Sequence, residues 1–212
     1  MGLRETKKEK ARSDILAAAT ALIQRRGFEA ATMRDIADAA HVSHQTLYNY
    51  FPNKAAVFRA LLGTEMLPLV AELATIAEHA DGDLLGALNR GFKVIFDRVG
   101  RSDRRIWREI IAHAFHAAPE HTGFFASYYA GAQDRLTRIV DDAKRHGRLR
   151  ADTDTGLLAE TLYAIVDFAL LSFVMHPDEK PRPALERVKA QVALVVTPYL
   201  SAPTRGSRGT SS

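Results

Sequence analysis

The sequence predicts an all-α protein, with an N-terminal head of three helices followed by a larger helical bundle, about nine helices in all. Three observations predict it. Between turn signals, apolar residues recur at helical spacing, and no useful length of chain alternates with a period of two. Gly, Pro, Asn and Ser punctuate the chain at intervals that suit helices. The stretch 32–54, TMRDIADAAHVSHQTLYNYFPNK, holds two short helix patterns joined by a tight turn and closed by an aromatic run.

In chain order, Ile15, Leu16, Ala19, Leu22 and Ile23 define one face of a first helix running from Lys8. Gly27 stops it, Arg25 and Arg26 suit its negative end, and Phe28 can fold back on its last turn. Around its start, Arg4, Lys7, Lys8 and Lys10 read as a flexible basic arm. Thr32 with Asp35 three residues on is a capping-box pattern that opens the second helix, whose apolar face is Ile36, Ala37 and Ala40. Ser43 caps the third, with Val42, Leu47 and Phe51 inward. Asn53 caps a long fourth helix carrying Val57, Leu61, Leu62, Leu69, Leu73 and Ile76, in which Pro68 predicts a kink. Residues 81–83, with Gly82, read as a loop. Helical patterns follow over 84–98, 104–116, from Pro119 to His146, 154–175 and 183–200. The predicted organisation is a basic arm and head over 1–53, a helical domain over 54–201, and a disordered Gly- and Ser-rich tail over 202–212.

Two short helices that bury facing apolar stripes across such a turn form a helix-turn-helix, whose second helix lies in the major groove of duplex DNA. The outward side chains of that helix are His44, Gln45, Tyr48 and Asn49. Gln and Asn can pair bidentately with adenine, and an aromatic edge can meet a thymine methyl, so these four are the candidate base contacts. Thr32, Ser43, Thr46, Tyr50 and Lys54 surround them as candidate phosphate contacts. Charge supports this: of the net +4, the first 60 residues hold ten Lys and Arg against six Asp and Glu, a surplus that phosphate neutralisation calls for.

The head resembles the TetR family of bacterial transcriptional regulators. The resemblance rests on Thr32, Ile36, Ala37, Val42, Ser43, Tyr48, Tyr50, Phe51 and Lys54, and is specific from about Lys8 to Leu62. The departure is His41, at a turn position where the family usually has Gly; His is among the residues that tolerate a left-handed backbone better than most. The resemblance implies a cytoplasmic repressor that binds a pseudo-palindromic operator as a homodimer and is released by a small-molecule effector. It also implies dimerisation through the last two helices.

Bulk properties narrow the function further. Without cysteine there are no disulfides, thiolate nucleophiles or cysteine-ligated metals. The charged start lacks the apolar core of a signal peptide, and the longest charge-free apolar run, 168–175, falls far short of the ~20 residues that span a bilayer, so no membrane partner is expected. No nucleophile elbow, phosphate loop or dinucleotide fingerprint occurs, so neither catalytic residues nor a cofactor are expected. Glu109, His113, His116 and His121 match neither the zinc-protease nor the di-iron spacing, and no metal is expected there.

Helix 154–175 is apolar around nearly its whole circumference and predicts burial on all sides. Together with the stripe on the last helix it is more than one subunit can cover, so Leu162, Val166, Leu170, Val188, Val192 and Val195 are the expected dimer contacts. The middle helices carry many aromatics among a few polar groups. Most of these are core, but Phe96, Trp107, His113 and Tyr128 are the candidate lining of a pocket for a small hydrophobic or aromatic effector. Two alternatives stay open from the residues alone: a helical-bundle carrier or enzyme whose head merely packs, and a DNA-binding protein without an effector.

Overall fold

The computed structural model describes the backbone of residues 3–116 and 119–201 and, within them, every side chain except those of 3, 4, 65, 110, 112–116 and 119–128. Nine α-helices run through the described residues: α1 (Leu3–Arg26), α2 (Met33–Ala39), α3 (His44–Tyr50), α4 (Lys54–Glu78), α5 (Leu84–Arg101), α6 (Arg104–His116), α7 (Pro119–Arg145), α8 (Thr155–Met175) and α9 (Pro181–Val196). One 3-10 turn, Thr197–Tyr199, follows, and Leu149 and Leu200 form an isolated bridge. The tail expected to be disordered, 202–212, lies outside the described residues.

In the head, α1 lays Ile15, Ala19, Leu22 and Ile23 against α2 and α4, and all four are buried. Helix α1 begins at Leu3, so the basic segment expected to be a flexible arm continues the helix instead, with Lys10 paired to Asp14 at 2.8 Å. An i,i+4 spacing of opposite charges favours that continuation. Phe58 of α4 stacks on Phe28 with ring centroids 4.7 Å apart, so α4 contributes to the head's packing beyond residue 53. It then runs on through Pro68 as one helix and reaches the body.

In the body, α7 packs on α8, α5 on α9 and α4, and α8 on α9, while α6 touches both α1 and α8. Phe96, Val99, Leu162, Phe173, Val188 and Val192 are buried at its centre. Arg104, opening α6, closes the far end of α8. Its guanidinium donates to the carbonyls of Phe173 (3.1 Å), His176 (2.8 Å) and Glu179 and lies 3.9 Å from the Phe173 ring centroid. The last carbonyls of a helix have no partner within it, and a cation there also opposes the helix dipole favourably.

By length and composition α4 and α8 could each cross a membrane, with mean hydropathies of 1.5 and 1.8 over their most apolar windows; here both pack into the bundle. Counting charge-free runs misses this property, because Glu160 and Asp167 interrupt α8 without making it polar overall. Nor is α8 buried all round: Leu157, Phe168 and Met175 are 62%, 69% and 55% exposed, and Leu194 of the neighbouring α9 is 76% exposed.

Candidate DNA-reading face and ligand cavity

The turn between α2 and α3 is built by local hydrogen bonds. Thr32 accepts from the Asp35 backbone (3.1 Å), and the Asp35 carboxylate accepts from the Thr32 backbone (3.1 Å) and hydroxyl (2.6 Å), completing the capping box. These bonds hold the Asp35 carboxyl below the ordinary aspartate range. At the other end of α2, His41 adopts a left-handed φ of 54°. Its N–H donates to Asp38 and that of Val42 to Ala37 (3.2 and 3.0 Å), the bond pair of a Schellman ending with His in the place that usually favours Gly. Ser43 then caps α3, accepting from the Thr46 N–H at 3.1 Å.

These caps orient α3 so that Leu47 and Phe51 are buried while His44, Gln45, Tyr48 and Asn49 are exposed together. Gln45 donates to Asn49 across one turn at 3.1 Å, which aligns the two amides on one edge. The candidate phosphate contacts divide. Thr32 is exposed, Ser43 is exposed and shares a 2.8 Å hydrogen bond with the Thr46 hydroxyl, and Tyr50 is half-buried against the core. Lys54 departs from expectation: its Nζ donates to the carbonyls of Phe28 (3.0 Å) and Glu29 (3.1 Å) and sits 4.4 Å from the Phe28 ring centroid. It is a strut between the start of α4 and the loop that follows α1, where charge-assisted hydrogen bonds to two carbonyls and the face of an aromatic ring hold the ammonium together. Arg34, exposed in the first turn of α2 two residues after Thr32, is a cation of the helix-turn-helix not among the candidates. Its place two residues after a cap was the available signal.

In the body a cavity of about 150 Å³ lies among α4, α5, α6, α7 and α8. Its wall is apolar, with Met66, Leu73, Leu88, Phe92 and Ile95 among its residues. Trp107 lines it as expected, and its indole N–H is buried without a hydrogen-bond partner. Phe96 does not line it: its ring packs against Phe173 at 5.2 Å in the core, since the apolar pattern of α5 does not reveal which buried aromatic borders a void. The side chains of His113 and Tyr128, and of His116 and His121, lie outside the described residues. Four polar residues of the wall, Tyr129, Arg135, Tyr163 and Asp167, were not among the candidates. Tyr129 and Tyr163 meet edge to face at 6.1 Å, and the Tyr163 hydroxyl donates to the Asp167 carboxylate. Burial pushes both the Asp167 carboxyl and the Tyr129 hydroxyl above their ordinary values, with the charge of Asp167 adding to the effect on Tyr129. The signal for Asp167 was present: it is the sole charged residue between Glu160 and the end of α8.

The expected dimer contacts also redistribute. Leu162, Val188 and Val192 are buried within the subunit, Val166 and Leu170 line the cavity, and Val195 is half-buried. The open stripe of α8 is the one through Leu157 and Phe168. A helix apolar on every side gives no indication of which stripe its own subunit takes.

A capped helix-turn-helix joined by one long helix to a bundle with an internal cavity defines a DNA-binding transcriptional regulator of the helix-turn-helix class. Residues 15–61 match the family described as bacterial regulatory proteins, tetR family, and residues 87–197, just over half of the chain, match BetI-type transcriptional repressor, C-terminal. The chain belongs to the TetR family of bacterial transcriptional regulators, which are not enzymes. Among its relatives, the regulator TtgR of Pseudomonas putida is 28% identical over 184 residues, covering 83% of this chain and 87% of that one. EthR of Mycolicibacterium smegmatis is 27% identical over 182 residues, covering 83% and 79%. In fold, it resembles SmeT, the repressor of the Stenotrophomonas maltophilia multidrug efflux pump SmeDEF, with a TM-score of 0.72 at 23% identity over 90% of each chain.

Proposed function

We propose that this regulator is a repressor that binds a pseudo-palindromic operator in the bacterial cytoplasm as a homodimer and is released when a small apolar or aromatic molecule enters the cavity. The supporting observation is the double role of α4. Val57 and Phe58 near its start are buried in the head, and Met66, Leu73 and Ile76 further along line the cavity. A molecule that favours one packing of the cavity wall therefore favours one placement of the head. Such release requires the ligand to bind one state more tightly than the other, whatever its absolute affinity.

In this reading residues 1–53 and the first turns of α4 read DNA, and 54–201 bind the effector and the second subunit. His44, Gln45, Tyr48 and Asn49 meet base edges, with Thr32, Ser43, Thr46 and Tyr50 at the phosphates and Arg34 taking the part first given to Lys54. Two subunits pack through the open stripe of Leu157, Phe168 and Met175 with Leu194 of α9, which removes exposed apolar surface from water. A two-fold dimer sets its reading helices about 34 Å apart, on successive turns of the major groove. Selection of bound sequences from random duplexes tests this directly. The expected product is an inverted repeat with half-sites about ten base pairs apart or a multiple of that; recovery of duplexes with no common sequence would reject the reading.

A further inference from the structure

Asp167 is an expensive residue to place where it is. It sits in the middle of an otherwise apolar stretch of α8, half-buried, on the wall of the cavity. Among the described residues no ion pair reaches it, and its one partner is the Tyr163 hydroxyl. A carboxylate offers about four acceptor sites, so a single donor leaves most of that capacity unused. Arg135, the one cation among the described residues of the wall, is itself already engaged, and Asp167 answers to burial and Tyr163. Beside the carboxyl stand the rings of Tyr129 and Tyr163, and across the same wall stands Trp107 with its buried, unpartnered indole N–H. Aromatic faces attract cations, most strongly where water is excluded. A void of about 150 Å³ is of the size that holds a single benzene ring.

We propose that the cavity selects a compact aromatic amine in its protonated form, the ammonium group meeting Asp167 and the faces of Tyr129 and Tyr163, the ring filling the apolar remainder. This rests on the reading that the cavity is the effector site, and it names the chemistry of that effector. The protein supplies the anion and the aromatic faces, and the ligand supplies the missing countercharge. A ligand that also carries an acceptor atom gains the Trp107 N–H.

Three probes of nearly one shape separate charge from fit: 2-phenylethylamine, n-propylbenzene, with methyl in place of ammonium, and phenylacetate, with the charge reversed. Trp107 is the chain's only tryptophan, so its fluorescence reports occupancy of the cavity in the unmodified, full-length protein, with calorimetry as the second measure. The amine is expected to bind at least about tenfold more tightly than n-propylbenzene, with phenylacetate weakest. Asp167→Asn is expected to bring the amine to within about twofold of n-propylbenzene. Equal binding of the three, preference for phenylacetate, no binding at all, or an amine preference that survives Asp167→Asn would each overturn the proposal. The wild-type ranking decides the matter even if the variant does not fold. Release of selected operator DNA is measured separately. An amine that binds with the stated preference yet leaves the DNA complex intact overturns effector release while the ligand class stands. Release by all three probes alike upholds effector control and overturns the charge selection.

Discussion

The head and the body are made of the same material, amphipathic helices over an aliphatic core, yet they treat their polar groups in opposite ways. In the head the polar groups of the turns meet close partners: Thr32 with Asp35, Ser43 with Thr46, Val42 with Ala37, Lys54 with two carbonyls. In the body a tryptophan N–H is buried without a partner, a carboxyl lies half-buried with one, and an apolar stripe of α8 faces outward. Satisfied turns fix one geometry, which suits a surface that must match a rigid groove. Unsatisfied groups and voids leave room for something else to complete them, which suits a domain whose state is set from outside.

The largest effect that tests this contrast is on packing. Leu47→Ala, at a fully buried position in the head, is expected to cost about 3 kcal/mol, because the void it leaves cannot collapse between two short capped helices. Leu136→Ala, on the cavity wall, removes the same atoms from a side chain that already borders empty space, and about 1 kcal/mol is expected. Urea unfolding of the two variants measures the difference. Equal costs would mean that the cavity is closed in solution and that the contrast between the two regions fails.

The next effect sharpens the contrast within the head, between side chains that present and side chains that hold. Gln45→Ala is expected to weaken operator binding by about 1–3 kcal/mol and to relax sequence preference at its position. Arg34→Ala should weaken binding uniformly and lower the slope of binding against salt by about one. Lys54→Met should leave that slope unchanged and instead reduce stability by about 1 kcal/mol, through the loss of its two hydrogen bonds. Salt titrations of DNA binding alongside thermal melts separate the three. A salt slope that falls with Lys54→Met returns that residue to the phosphate contacts.

A smaller change concerns the tightest turn. His41 holds φ at 54°, where a β-carbon is crowded and glycine is not. His41→Gly is expected to stabilise the protein by about 0.5–1 kcal/mol, set against the greater freedom glycine gives the unfolded chain. A loss of stability on chemical denaturation would show that the imidazole contributes more to this turn than the relief of strain returns.

How much of this was legible beforehand follows from the range of the interactions involved. The caps at Thr32, Ser43 and Asn53, the left-handed turn at His41 and the outward set on α3 are decided within four residues of chain, and the sequence carries that information in full. Trp107 on the cavity wall was also legible, as a large ring in a helix of mixed character. Lys54 was not, because its carbonyl partners lie 26 and 25 residues away. Phe96 and the stripe of α8 that faces outward depend on how several helices meet, and residues that are apolar on every side do not encode that choice. Asp167 was visible as a lone charge in an apolar helix, but only the cavity gives that charge a use.

The two carboxylates supply the smallest and most direct test of the contrast, since the two regions drive them in opposite directions. Asp35 is held below its ordinary range by the Thr32 hydrogen bonds, so it favours the folded state at pH above the unfolded value, and that contribution is lost as pH falls through the lowered folded value. Asp35→Asn should therefore lower Tm at neutral pH, an effect that fades as pH falls through the lowered folded value. Asp167 is pushed up by burial, so its ionisation opposes folding. That penalty is absent in acid, sets in as pH rises from about 4, and is fully present once pH has passed the raised folded value. Asp167→Asn should accordingly raise Tm at pH above that folded value, by a small amount because the exposed half of the group is screened, and leave it unchanged in acid. Melting curves of both variants across that range give two difference profiles of opposite sign if the head satisfies its charges and the body withholds a countercharge from Asp167. A stabilising contribution from Asp167 at neutral pH would mean that the subunit itself supplies the missing countercharge, and the body would then differ from the head in shape alone.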